Sequence, residues 1–287
     1  MSDATAMQRS AGRMIDGLRV GIVVSLVFLL LGFVSIVWTP YSVTSLDVGA
    51  AMQDPGGAHW LGTDQLGRDV LSLVMKGVLT SFVVSAVGVT LGGLFGIPLG
   101  LAAYAWGRPA DLAVRGVGAY LTTIPVLVAA VIFAALFGAS AATLMVAIGL
   151  GNIPALAALT RDGMARSRRL GYVEAARLAG AGGLDLVRRH IFPGMTRLLL
   201  AQAVLQLGLG ILAEAGLSYV GLGTQPPATS LGLLLHDASA YASLKPGLLL
   251  APGLAILVIV LALNVTSRGL RATAGPVLAS EADDGAA

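Results

Sequence analysis

Long apolar runs, separated by short arginine-bearing connections, constrain this chain more than any other feature. A helix needs roughly 20 mostly apolar residues to cross a hydrocarbon core. Six runs reach about that length, at 18–38, 78–105, 116–137, 139–160, 198–222 and 247–266. Their Leu, Val, Ala and Gly composition lacks the two-residue alternation of a membrane β-barrel strand. Only 11% of the residues are charged and 56% are hydrophobic, whereas a soluble domain carries about a quarter charged residues. The expected fold is therefore an all-α integral membrane protein with six transmembrane helices.

Basic residues are retained on the cytoplasmic side of a membrane, so the connections give an orientation. With the N-terminus inside, 15 of the 18 Lys and Arg fall on the cytoplasmic side and only Arg68, Lys76 and Lys245 fall outside. Both termini are then cytoplasmic. The chain divides into a cytoplasmic tail at 1–17, a membrane domain at 18–266 with an outer segment at 39–77 and a cytoplasmic loop at 161–197, and a cytoplasmic tail at 267–287. The first run follows Arg9, Arg13 and Arg19 as a signal sequence does, but it is too long for a signal peptide core and reads as a signal anchor that stays attached. Only Gly138 and Ser140 punctuate the third and fourth runs, which predicts a tight helical hairpin. The acidic end at Glu281, Asp283 and Asp284 reads as a solvated terminus.

Several function classes find little support. The formal charge of +3 is distributed between apolar runs and makes no continuous basic face for nucleic acid. No cysteine is present, so disulfides and thiolate metal sites are excluded. A phosphate-cradling loop needs a Gly-rich turn followed by Lys and Ser or Thr; the only lysines, Lys76 and Lys245, follow none. Any ATP hydrolysis belongs to another polypeptide. Ion-coupled carriers bury ionisable groups in their spans, and here the one acidic residue beside an apolar run is Glu214 near the outer end of the fifth. Satisfaction by a neighbouring helix or the outer loop is its expected role. A stand-alone carrier should also show inverted repeats and helices broken at mid-membrane, which the sequence does not display. An intramembrane enzyme would need convergent partners, and the three histidines lie dispersed in loops.

Local patterns add detail. Gly88, Gly92, Gly96 and Gly100 recur at every fourth residue, leaving one helix face without side chains and open to a second backbone. In the outer segment, Asp64, Arg68 and Asp69 precede Val70, Leu71, Val74 and Met75, as though to cap and pair an interfacial helix. His59 and His236, with Asp64, Asp69 and Asp237 near them in sequence, match no metal-ligand spacing. His190 lies on the opposite side.

The cytoplasmic loop 161–197 is the longest charged stretch. Tyr172, Ala175, Ala176 and Ala179 recur at helical spacing and predict a short helix with one smooth stripe, from which Glu174 and Arg177 point away. Gly180 is placed to stop it. A second short helix fits 184–192 and is expected to end before Pro193. Two such helices at a sharp angle make a knob that cannot bury its stripe alone and should dock into a groove on a partner.

Glu174-Ala175-Ala176, then Gly180, then Pro193 thirteen residues on, resembles the EAA loop of bacterial ATP-binding-cassette import permeases. Three further stretches resemble the second permease subunit of dipeptide, oligopeptide and nickel importers. They run from His59 through Gly62-Thr63-Asp64 to Val70, from Ile211 through Glu214-Ala215-Gly216-Leu217-Ser218 to Pro227, and from Pro252 to Arg271. Phe192 and Gly194 flank Pro193, and Leu231 follows the second stretch, where that subfamily usually has Leu, Asn and Trp.

The resemblance implies a type I importer permease fold in the bacterial cytoplasmic (inner) membrane. It assigns Glu174, Ala175, Ala176 and Gly180 to coupling with an ATPase, and it names no catalytic or metal residue. The implied partners are a homologous permease making a heterodimer, two ATP-binding subunits that carry ATP and Mg, and an extracytoplasmic substrate-binding protein. The chain itself holds no cofactor and forms half of a translocation pathway for di- or oligopeptides. Nickel or another small solute on the same architecture is the alternative substrate reading, and a stand-alone secondary carrier is the more distant one.

Overall fold

A computed structural model describes residues 2–273. The acidic end at Glu281, Asp283 and Asp284 and the tail beyond Thr273 lie outside the described residues. So do the side chains of Arg9 and Arg13. The described part is helical, with ten α-helices: α1 (Ser2–Val37), α2 (Val70–Ala105), α3 (Arg108–Thr123), α4 (Val126–Phe137), α5 (Ala141–Ser167), α6 (Gly171–Leu178), α7 (Gly183–Leu186), α8 (Phe192–Tyr219), α9 (Leu231–Ser239) and α10 (Pro246–Ala272). Pairing between strands is limited to one isolated bridge, Thr63 with Asp69, among the described residues. Five helices are long and apolar enough to cross a membrane, and α3 with α4 makes a sixth if the bent pair is one span.

The long helix α2 lies at the centre, packed on α5 and flanked by α1, α8 and α3. The glycine row explains its closest contact. A Cβ on Gly88 would lie 2.7 Å from Ile148 Cγ2, one on Gly96 2.7 Å from the Ile153 carbonyl, and one on Gly100 2.6 Å from the Ala157 carbonyl, while one on Gly92 would meet Asn152 Cβ. Each missing side chain lets α5 approach to backbone contact, where dispersion is strongest in a solvent as apolar as the protein. The row is a packing face. A similar approach holds α1 to α10, where Gly21 sits under Thr266 and Ala262. Away from that seam α1 exposes Val20, Val23, Leu26 and Leu30, as a lipid-facing helix does.

Two sequence expectations change here. The second span begins at Val70 and not at 78, so residues 70–77 are its first two turns and not a separate interfacial helix. Asp69 caps it, accepting from the Ser72 N–H at 2.8 Å and from Ser72 Oγ at 2.7 Å. The third span is broken. α3 and α4 meet at a 77° bend across Ile124 and Pro125. Ile124 is extended, with φ −87° and ψ 111°, because the Pro125 ring disfavours helix in the residue before it. The β-branched run Thr122, Thr123, Ile124 adds low helix propensity. By contrast, Pro98, Pro154 and Pro252 sit inside continuous helices.

The bundle has two distinct ends. At one, the 39–69 segment and α9 cover the starts of α2 and α10. There Asp64 accepts from the Leu66 and Arg68 N–H groups at 2.8 Å and pairs with Arg68 Nε at 2.7 Å, so the expected capping and pairing is made. At the other end, α6 and α7 sit on the ends of α2 and α5 and the start of α8.

Candidate functional site

The knob is built as a short helix, a turn and a continuous entry into a long helix. α6 is capped by Ala179, and Gly180 follows at φ +91°. The Gly180 N–H donates to the Arg177 carbonyl at 3.0 Å and the Ala181 N–H to the Ala176 carbonyl at 3.1 Å. This pair of bonds is the Schellman closure, and it needs a residue tolerant of positive φ at that position. The glycine stop is therefore where the spacing put it.

The second helix does not end before Pro193. α7 passes through one π-helical turn, Val187–Ile191, directly into α8, with Pro193 in the first turn. The Phe192 N–H donates to the Val187 carbonyl, five residues back. That wider turn shifts the hydrogen-bond register just ahead of the proline, which has no N–H to give. The knob is thereby an extension of a membrane helix.

What fixes the knob is apolar packing. Val173 on α6, Leu186 on α7, Ile191 in the π turn, Met164 on α5 and Met195 and Leu199 on α8 form one buried cluster, against which Leu101, Tyr104 and Ala176 pack. Burying a side chain of this size contributes about 1.5–3 kcal/mol, so several of them outweigh the ordering cost of an eight-residue helix. Tyr172 spans the fold, donating from its hydroxyl to the His190 carbonyl at 3.2 Å.

The structure divides the predicted stripe. Ala176 turns partly inward, whereas Tyr172, Ala175 and Ala179 stay exposed, joined by Leu178 at 80% exposure. Glu174 is exposed and pairs with Arg177 across one turn at 3.6 Å. Glu174, Ala175, Ala176 and Gly180 thus lie together on one protruding element. Leu178 was missed by the sequence reading, although its spacing of three from Ala175 placed it beside the stripe. Arginines gather at this end, where the Arg197 guanidinium donates to the Thr273 carbonyl at 2.9 Å and Arg189 pairs with Asp185 at 2.8 Å.

Several other titratable groups have local partners. Glu214 is fully buried in α8 and accepts from Ser81 Oγ on α2 and from Ser218 Oγ, both at 2.6 Å. Ser81 Oγ in turn accepts from the Leu231 N–H at 3.3 Å. The carboxyl thus ties α2, α8 and α9 together. His59 Nδ1 lies 2.9 Å from Asp69 Oδ1 with its ring against Tyr41. His236 Nδ1 lies 2.7 Å from the Tyr219 carbonyl. His190 is at the knob end. Among the described residues no three His, Asp or Glu side chains are grouped to hold a metal ion. Asp237, half-buried on α9, has its carboxyl raised above the usual aspartate range by desolvation, against the lowering effects of Arg68 and His236.

Comparison with known proteins gives this geometry a context. Residues 92–273 match the family model described as "binding-protein-dependent transport system inner membrane component". A glutathione transport system permease protein of Pectobacterium atrosepticum is 34% identical, aligned over 84% of this chain and 80% of its own length. A dipeptide transport system permease protein of Alkalihalophilus pseudofirmus is 30% identical over 91% of this chain and 86% of its own. A putative peptide permease protein of Brucella suis is 37% identical over 82% and 78%. Among solved structures, an inward-facing MetNI methionine ABC transporter chain superposes with a TM-score of 0.57 at 21% identity, covering 70% of this chain and 95% of that one. That likeness concerns the fold alone. The matched family region and the close relatives agree, and the chain belongs to the binding-protein-dependent transport system inner membrane components, the permeases of ATP-binding-cassette importers.

Proposed function

We propose that this chain forms half of a peptide translocation pathway in a bacterial inner membrane and receives its driving force through the knob. The observation that carries the coupling role is the shape of α6: Ala175, Leu178 and Ala179 face outward while Val173 and Ala176 lock the helix to α5 and α8. A small, smooth surface with one apolar anchor suits a cleft on a separate protein. Rigid attachment lets movement of that partner pull on the long helices without being lost in a loose loop. Glu174, Ala175, Ala176 and Gly180 are the coupling residues in this reading, and the exposure of Leu178 beside them supports adding it.

The partner is an ATP-binding subunit, present in two copies and holding ATP and Mg. A homologous permease completes the pathway as a heterodimer, and an extracytoplasmic binding protein delivers solute. The arginine-rich knob end faces the cytoplasm by the positive-inside bias, which places both termini there and the 39–69 segment outside. The names of the relatives favour di- or oligopeptides as the solute. The chain itself performs no covalent chemistry.

The test is co-expression with the products of the neighbouring genes and co-purification of any ATPase among them, comparing wild type with Glu174→Arg and Leu178→Ser. The expected result is that wild type retains an ATPase and the variants lose it while staying folded. A wild-type chain that never binds an ATPase, yet moves solute alone in vesicles, overturns the reading.

A further inference from the structure

The bend between α3 and α4 sits at a depth where lipid cannot accept it. A Cβ on Gly151 of α5 would lie 2.8 Å from Val126 Cγ2, so the start of α4 is level with Gly151. Gly151 is ten residues from the start of α5 at Ala141, about 15 Å at 1.5 Å per residue. A hydrocarbon core is about 30 Å thick, which puts the break near its middle. A helix start leaves its first N–H groups without intrahelical acceptors, and no side chain caps α4. Irregular backbone at membrane depth persists only where protein buries it or where it lines a water-filled cavity.

This chain does not bury it. Thr122, Thr123, Ile124 and Pro125 are all exposed. Beside them runs a groove of about 440 Å³ between α3 and α5, lined by Gly118, Ala119, Thr122, Pro154 and Ala158, with Arg115 and Arg161 toward the knob end. Those arginines are matched by carboxylates: Arg115 pairs with Asp111 at 2.9 Å, and Arg161 with Asp111 at 3.6 Å and with Asp162 at 2.7 Å. The hydroxyls of Thr122 and Thr123 donate to the Gly118 and Ala119 carbonyls at 2.5 and 2.8 Å, and Thr122 lines the groove.

We propose that the break at Ile124 and Pro125 and the α3–α5 groove are this chain's lining of the aqueous route, with Ala119 and Thr122 in contact with the passing solute. The small walls leave room for varied side chains. Two arginines against two aspartates give the inner mouth no net charge, so it suits a zwitterion bearing amide groups. The proposal rests on the importer reading and names the surface that does the conducting.

The absence of cysteine makes the test direct. Ala119→Cys, Thr122→Cys and, as a lipid-facing control, Leu26→Cys are each assembled with the partner subunits in membrane vesicles. They are treated with a charged, membrane-impermeant thiosulfonate or with a lipid-soluble maleimide. The charged reagent is expected to modify the two groove cysteines, several-fold more slowly when a transported dipeptide is present, and to leave Leu26→Cys untouched. Modification of Thr122→Cys by the maleimide alone, or by neither reagent, overturns the proposal by placing the break in lipid or against the partner permease. Labelling indifferent to dipeptide overturns the solute contact. ATP-driven uptake by the unsubstituted assembly is scored separately, so its absence would sink the importer reading and not the lining.

Discussion

Gly180 offers a test of whether local backbone geometry at the knob governs coupling. Its φ of +91° closes α6, and a Cβ placed there would meet nothing within 4 Å. Gly180→Ala therefore introduces no clash with a neighbour; the whole effect is conformational. A left-handed backbone costs an ordinary L-residue about 1–2 kcal/mol, and relaxing that strain means loosening the two closing hydrogen bonds from Gly180 and Ala181. If a partner ATPase recognises α6 only with its end closed, the cost appears in docking, where about 1.4 kcal/mol is tenfold in affinity. The expected loss for Gly180→Ala is roughly five- to thirtyfold, and Gly180→Asn should lose less because Asn tolerates this region. The assay is titration of ATPase subunits against the permease in nanodiscs, followed by hydrolysis stimulated by the loaded binding protein. Equal affinity for Gly, Ala and Asn variants would refute the argument that the turn geometry is read by the partner.

Other consequences follow from the bundle. Gly96→Leu forces α2 from α5 against the Ile153 carbonyl and Leu156, and should cost at least about 1–3 kcal/mol, seen as a lower melting temperature in detergent; an unchanged melt would mean the helices part easily. Glu214→Ala strips the acceptor from Ser81 and Ser218 at about 1–3 kcal/mol per stranded group, while Glu214→Gln should retain most stability and uptake. Loss of uptake in a stable Glu214→Gln protein would instead indicate proton coupling. Asp237 has its carboxyl raised by burial, so the folded state holds its proton more tightly than the unfolded one, and stability present below the usual aspartate range is lost as pH climbs through the raised value. The stability of Asp237→Asn relative to wild type should accordingly rise with pH across that window, measured by melts from acid to neutral pH; a flat difference would contradict the assignment.

The sequence by itself determined the solvent, the number of apolar runs, the glycine face of α2 and the position of the α6 stop. Each depends on a local or periodic rule: apolar length against bilayer thickness, a four-residue repeat on one helix, and a residue able to hold positive φ. It also carried the family resemblance, since Glu174-Ala175-Ala176 and Gly180 lie on one short stretch of sequence. Only the tertiary structure decided how prolines behave. Pro98, Pro154 and Pro252 are absorbed within helices, Pro193 follows a π turn, and Pro125 breaks a span, because neighbours and hydrogen-bond register determine whether the freed backbone groups can be accommodated. Tertiary packing likewise turned Ala176 inward and left Leu178 out. The fate of Glu214 was settled by Ser81, which is 133 residues away, a distance in sequence that no local pattern spans but that one helix–helix contact closes.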